Sequence, residues 1–97
     1  MNIISVHIKI TGRVQGVGYR EAMRMVAQAL DVTGWVRNLQ DNSVEARLYG
    51  EEAMVERLIT WCHNGPPGAN VQYVEANLVA ASAATETFIQ FSRLPDA

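Results

Sequence analysis

The sequence predicts an α+β fold in which two amphipathic helices cover one face of an antiparallel sheet. Three observations carry this reading. Residues 6–11 alternate apolar and polar side chains, two later segments repeat apolar residues at helical spacing, and the segments follow one another as strand, helix, strand, strand, helix, strand. With 97 residues, 48% of them hydrophobic, the chain is long enough to bury a core without disulfides, whose need sets in below about 40 residues. One domain over residues 1–97 is therefore expected.

The first strand is read from Val6, Ile8 and Ile10 alternating with His7, Lys9 and Thr11, which gives one buried and one wetter face, and it is expected to stop at Gly12. Met23, Val26, Ala27 and Leu30 then fall at i, i+3, i+4 and i+7, so a helix is expected over about residues 20–30. Residues 33–39 suit a strand. Val44, Ala46 and Leu48 alternate with Glu45, Arg47 and Tyr49 as the next one, and Asp41-Asn42-Ser43 supplies the turn of the hairpin. Val55, Leu58, Ile59 and Cys62 repeat the helical spacing before Gly65-Pro66-Pro67-Gly68 closes the second helix. Two more strands are expected near residues 71–78 and 87–91, joined by an alanine-rich stretch of weak local preference. This order is the split βαβ pattern of a ferredoxin-like sandwich, a fold that hosts many functions, so function has to be read from a site.

Eight basic against ten acidic side chains give a formal charge of -2, which excludes broad electrostatic attraction to nucleic acid or an acidic membrane. Any anion site must be local. Trp35, Trp61, Tyr19, Tyr73, Phe88 and Phe91 lack a basic stripe or an RRM-type signature and are read as packing residues. The single cysteine, Cys62, rules out an intramolecular disulfide and fits a reducing cytoplasm. Residues 1–10 alternate in polarity and include Lys9, so they lack the apolar run of a signal peptide or membrane span; a soluble cytoplasmic monomer is expected. Cys62 and His63 are helix neighbours that do not face each other, so no nucleophile-base pair is assigned to them. His7 is read as a solvated strand residue, and no histidine, cysteine and carboxylate spacing suggests a metal site.

One segment does suggest chemistry. Gly12-Arg13-Val14-Gln15-Gly16-Val17-Gly18-Tyr19-Arg20 joins a strand to a helix, and its three glycines let several N–H groups point into one concavity. The helix start adds free N–H groups and partial positive charge, and Arg20 adds a planar fork matched to phosphate oxygens. Composition alone leaves open that the glycines simply reverse the chain and that Arg20 is solvated. No Gly-Lys-Ser/Thr follows the loop, and Glu21 stands three residues after Gly18, so neither a P-loop nor a Rossmann fingerprint is present. A second segment, Gly34-Trp35-Val36-Arg37-Asn38, ends a strand on an amide just before the turn.

These two segments resemble the two signatures of the acylphosphatase family. The resemblance continues through residues 41–45 and through Gly65-Pro66-Pro67-Gly68-Ala69, and so covers nearly the whole chain. It implies a ferredoxin-like fold, hydrolysis of acyl phosphates without cofactor or metal, and catalytic roles for Arg20 and Asn38. Phosphate would be held by Gln15, Gly16, Val17, Gly18, Tyr19 and Arg20. Two positions depart from the family pattern: Gly18 stands where a bulkier residue is frequent, and Asn42 where a turn glycine is common. A non-catalytic module that binds a phosphorylated ligand or acts in regulation is the alternative that the same residues allow.

Overall fold

The computed structural model describes residues 2–79 and 90–97. The elements are β1 (Ile3–Arg13), α1 (Tyr19–Ala29), β2 (Thr33–Asn38), β3 (Val44–Glu51), α2 (Glu52–Asn64), β4 (Asn70–Leu78) and β5 (Phe91–Arg93). The strands form one sheet in the order β4-β1-β3-β2-β5. Val6, Ile8 and Ile10 of β1, Val36 of β2 and Val44, Ala46 and Leu48 of β3 are buried in one cluster. Met23 and Ala27 of α1 and Val55, Leu58 and Cys62 of α2 complete it, so the apolar alternation and the helical stripes meet in a single core.

Three expectations need correction. The sheet is mixed, because β5 pairs in parallel with β2 while every other ladder is antiparallel. A strand that runs opposite to β4 and docks on the far edge must lie parallel to β2, and nothing in a short local pattern encodes that direction. The first strand also runs past Gly12: the register against β4 shifts between Thr11 and Gly12, and Gly12, at φ 127°, bends the strand instead of ending it. The last strand begins at Phe91, where the expected one ends; residues 87–89 of that expectation, with Phe88, lie outside the described residues.

The helix ends follow local chemistry. α1 closes with Val32 N donating to Ala27 O at 2.9 Å and Asp31 N to Gln28 O at 3.2 Å, a Schellman arrangement with Asp31 at φ 56° in the position glycine usually takes. α2 stops at Gly65, φ 68°, whose N–H donates to Trp61 O. On the sheet face away from the core, His7 is not simply solvated. Its Nε2 lies 2.7 Å from Glu45 Oε2, and Arg37 Nε donates to Glu45 Oε1 at the same distance. Burial works to raise the Glu45 pKa, but the hydrogen bonds from His7 and Arg37 outweigh it and hold the carboxyl below its ordinary value.

Candidate active site

The loop between β1 and α1 is built around two left-handed glycines. Gly16 and Gly18 have φ of 74° and 78°, and Gly18 is the N-cap of α1, with Ala22 N donating back to its carbonyl. An added Cβ at Gly18 would meet nothing within 4 Å, so the glycine is needed there for its backbone angle and not for space. The first-turn N–H groups of α1 have no intrahelical acceptors and open beside this loop. Val14 is buried and anchors the loop's entry.

The predicted binding residues divide by what their side chains do. Gln15 Nε2 donates to Leu39 O at 2.9 Å and to Ser43 O at 2.8 Å, which ties the loop to the β2–β3 turn directly after Asn38. The turn is closed by Leu39 N donating to Ser43 O and by Asp41 accepting from Ser43, with Asn42 at φ 71° taking the left-handed conformation its position requires. Tyr19 points its ring into the core, its hydroxyl donating to Cys62 O at 2.6 Å and its ring centroid 5.3 Å from that of Trp61. Burial raises the Tyr19 hydroxyl pKa far above its ordinary value and pushes the Cys62 thiol up to about 12, so neither is a nucleophile at neutral pH. Tyr19 is therefore a packing residue by its ring and shares only its backbone with the loop.

A cavity of about 190 Å³ opens at the loop and is lined by Gly16, Gly18, Tyr19 and Arg20 together with Glu21 and Arg93. Gln15, Val17 and Asn38 are not among its lining residues; Gln15 instead ties the loop to Leu39, the residue after Asn38. Arg20, in the first turn of α1, directs Nη1 to Asp96 Oδ1 at 3.1 Å. Asn38 ends β2, is 8% exposed, and its Oδ1 has no hydrogen-bond donor among the described residues. Its main-chain carbonyl accepts from Ala97 N at 3.0 Å, so the C-terminal residues run past both signatures. A larger cavity, about 230 Å³, lies toward the other end of α1 beside Gln28, Asp31 and Phe91 and contains no residue of either signature.

Two site residues were not legible in the sequence. Arg93 lies just past the point where the last strand was expected to end, and Asp96 follows Pro95 in a stretch without periodicity. Their contacts, Arg93 to Glu21 and Asp96 to Arg20, span more than seventy residues and leave no local signal. Glu21 is drawn down to about 2, chiefly by its hydrogen bonds from Arg24, with Arg93 adding to the effect. Among the described residues no group of three His, Cys, Asp or Glu side chains is placed to hold a metal ion, and no helix is long and apolar enough to cross a membrane.

Fold and loop together define a small α+β protein with a glycine-rich loop at a strand-to-helix junction. The acylphosphatase family model matches residues 6–90. An acylphosphatase of Trichormus variabilis is 53% identical over 72 residues, which make up 74% of this chain and 71% of that protein. The structure of an acylphosphatase from Coxiella burnetii has a TM-score of 0.88 at 34% identity, over 96% of this chain and 94% of its own. The Bacillus subtilis acylphosphatase structure has a TM-score of 0.87 at 30% identity, over 94% and 98%. This chain belongs to the acylphosphatase family, hydrolases that act on acyl phosphates.

Proposed function

We propose that the protein hydrolyses small acyl phosphates to carboxylate and phosphate by direct attack of a water that Asn38 orients. Arg20 and the backbone N–H groups of residues 15–20 grip the phosphoryl group and stabilise its developing charge. The new bond forms between the water oxygen and phosphorus while the bond from phosphorus to the acyl oxygen breaks. The carboxylate leaves with that electron pair, and the phosphate product carries the water's hydrogens. The acyl phosphate already has a good leaving group, so positioning and electrostatics suffice without a strong base.

The observation that carries this reading is the orphaned Asn38 Oδ1. Leaving a buried acceptor unmade costs about 1–3 kcal/mol, and an amide oxygen with no donor, one residue from the carbonyl that Gln15 of the loop binds, is suited to receive the O–H of an attacking water. Gln15 supports the same role by bonding to Leu39 O, the residue next to Asn38. We read residues 1–97 as one domain, monomeric and metal-independent, acting in the cytoplasm, where the buried Cys62 stays a thiol.

The test is phosphate release from benzoyl phosphate in excess chelator. Wild type should turn over rapidly. Arg20→Ala should lose about 10²–10³-fold in kcat/KM with weakened phosphate affinity, and Asn38→Ala should lose a similar factor mainly in kcat. Equal loss of phosphate affinity in both variants would refute the division of roles. Saturable phosphate binding by folded wild type with no release would favour the non-catalytic binding module.

A further inference from the structure

We propose that Arg93 reads the acyl side of the substrate and makes the enzyme prefer acyl phosphates whose acyl group carries a second negative charge, such as monophosphates of dicarboxylic acids. The inference rests on the reading of the loop as the phosphate cradle.

Arg93 is held in place by main-chain pairing rather than by its own charge. It stands opposite Val36 in the parallel β2–β5 ladder, and the next residue, Leu94, donates its N–H to Val36 O at 2.8 Å. Val36 precedes Asn38 by two residues, so the Arg93 backbone sits about 7 Å along the strand from the level of Asn38. From there its side chain reaches the wall of the cavity that Gly16, Gly18 and Arg20 also line. Two guanidinium groups from different elements thus face one cavity, Arg20 from the cradle side and Arg93 from the β5 side.

Charge separates their tasks. Arg20 is paired with Asp96 at 3.1 Å. Arg24 occupies both oxygens of Glu21, at 2.6 and 3.0 Å, whereas Arg93 approaches Glu21 only to 3.4 Å. Among side chains, three guanidiniums, Arg20, Arg24 and Arg93, therefore face two carboxylates, Glu21 and Asp96, one more cationic group than anionic in a chain whose net charge is -2. The loosest pairing is at Arg93, whose side chain is 41% exposed and so open to a ligand. A neutral acyl group has no use for that charge, but a carboxylate on the acyl group can take both N–H groups of its planar fork.

The test compares benzoyl phosphate with its 3-carboxy and 4-carboxy derivatives, using wild type, Arg93→Gln and Arg93→Lys. The readout is the ratio of kcat/KM for a carboxylated substrate to that for benzoyl phosphate, which a merely structural role would not move. We expect that ratio to fall about tenfold in Arg93→Gln for at least one carboxylated isomer, to fall less in Arg93→Lys, and to narrow in wild type as salt rises. A ratio that Arg93→Gln leaves unchanged, or parallel loss on all three substrates, overturns the proposal while the hydrolase reading stands. Wild type inactive on all three overturns the hydrolase reading and the proposal with it.

Discussion

In the proposed reaction Arg20 grips the phosphoryl group, and Asp96 presents a carboxylate to the same guanidinium. One N–H of Arg20 is engaged, at 3.1 Å, and the Asp96 side chain is 65% exposed, so the pair has the weak, solvent-screened character of surface ion pairs, about 0.2–1 kcal/mol. An incoming phosphate competes with it easily. Asp96→Ala should therefore strengthen competitive inhibition by inorganic phosphate, by up to about fivefold at low salt and less at high salt. Inhibition constants measured across a salt series check this, and weaker inhibition by phosphate in the variant would mean that Asp96 holds Arg20 in its working position instead. Arg20 and Asn38 stand out in the sequence as candidates because each ends a compact motif, whereas the contacts of Asp96 and Arg93 are with partners far away in the chain.

The elements place the site through a few backbone positions that tolerate no side chain. Gly34 in β2 has φ 136°, and a Cβ there would lie 1.9 Å from the main-chain oxygen of Arg47 on β3. Gly34→Ala must push β2 away from β3 or abandon its backbone angle, and both effects act on the strand that carries Asn38. Strain and overpacking together suggest a loss of about 2–4 kcal/mol, or a drop in Tm of about 10 °C or more. Gly18→Ala meets no atom and should cost only the left-handed backbone penalty, about 1–2 kcal/mol, in the same thermal unfolding experiment. Equal losses in the two variants would show that contact at Gly34 is unimportant. Both helices were legible because an apolar stripe repeats over two turns, and β1 and β3 because their alternation is long. β5 was not: three residues hold too little pattern to fix a register, and its parallel direction depends on which sheet edge it reaches. The bulge at Gly12 was hidden for the reverse reason, since a glycine reads as a strand end unless the neighbouring strand is known.

At the scale of the molecule, the shifted groups set opposite limits on stability. Glu21, Asp41 and Glu45 all have pKa values lowered by their partners, Asp41 chiefly by Lys9 and then Ser43, so their contribution is present above the unfolded carboxylate range near 4 and is lost as pH falls from there toward 2. Cys62 and Tyr19 are shifted the other way, by burial. A group whose folded pKa is raised is fully favourable below its unfolded value and loses that contribution as pH rises toward the folded one. For Cys62 the window runs from its ordinary value of 9.0 to about 12, and Tyr19 adds a second proton above its ordinary 10.0. Each such proton contributes about 1.4 kcal/mol of lost stability per pH unit. The two groups are also physically joined, because the Tyr19 hydroxyl donates to the Cys62 carbonyl and fastens the start of α1 to the end of α2. Alkaline unfolding should thus loosen the junction that begins the cradle. Cys62→Ala will lower stability at every pH by removing a buried side chain, so the decisive quantity is the slope: unfolding free energies from urea titrations at pH 8, 9, 10 and 11 should fall less steeply in Cys62→Ala than in wild type, by about one proton's worth between pH 10 and 11. Parallel curves would mean that the thiol does not ionise on unfolding in this range and that the alkaline limit belongs to other groups.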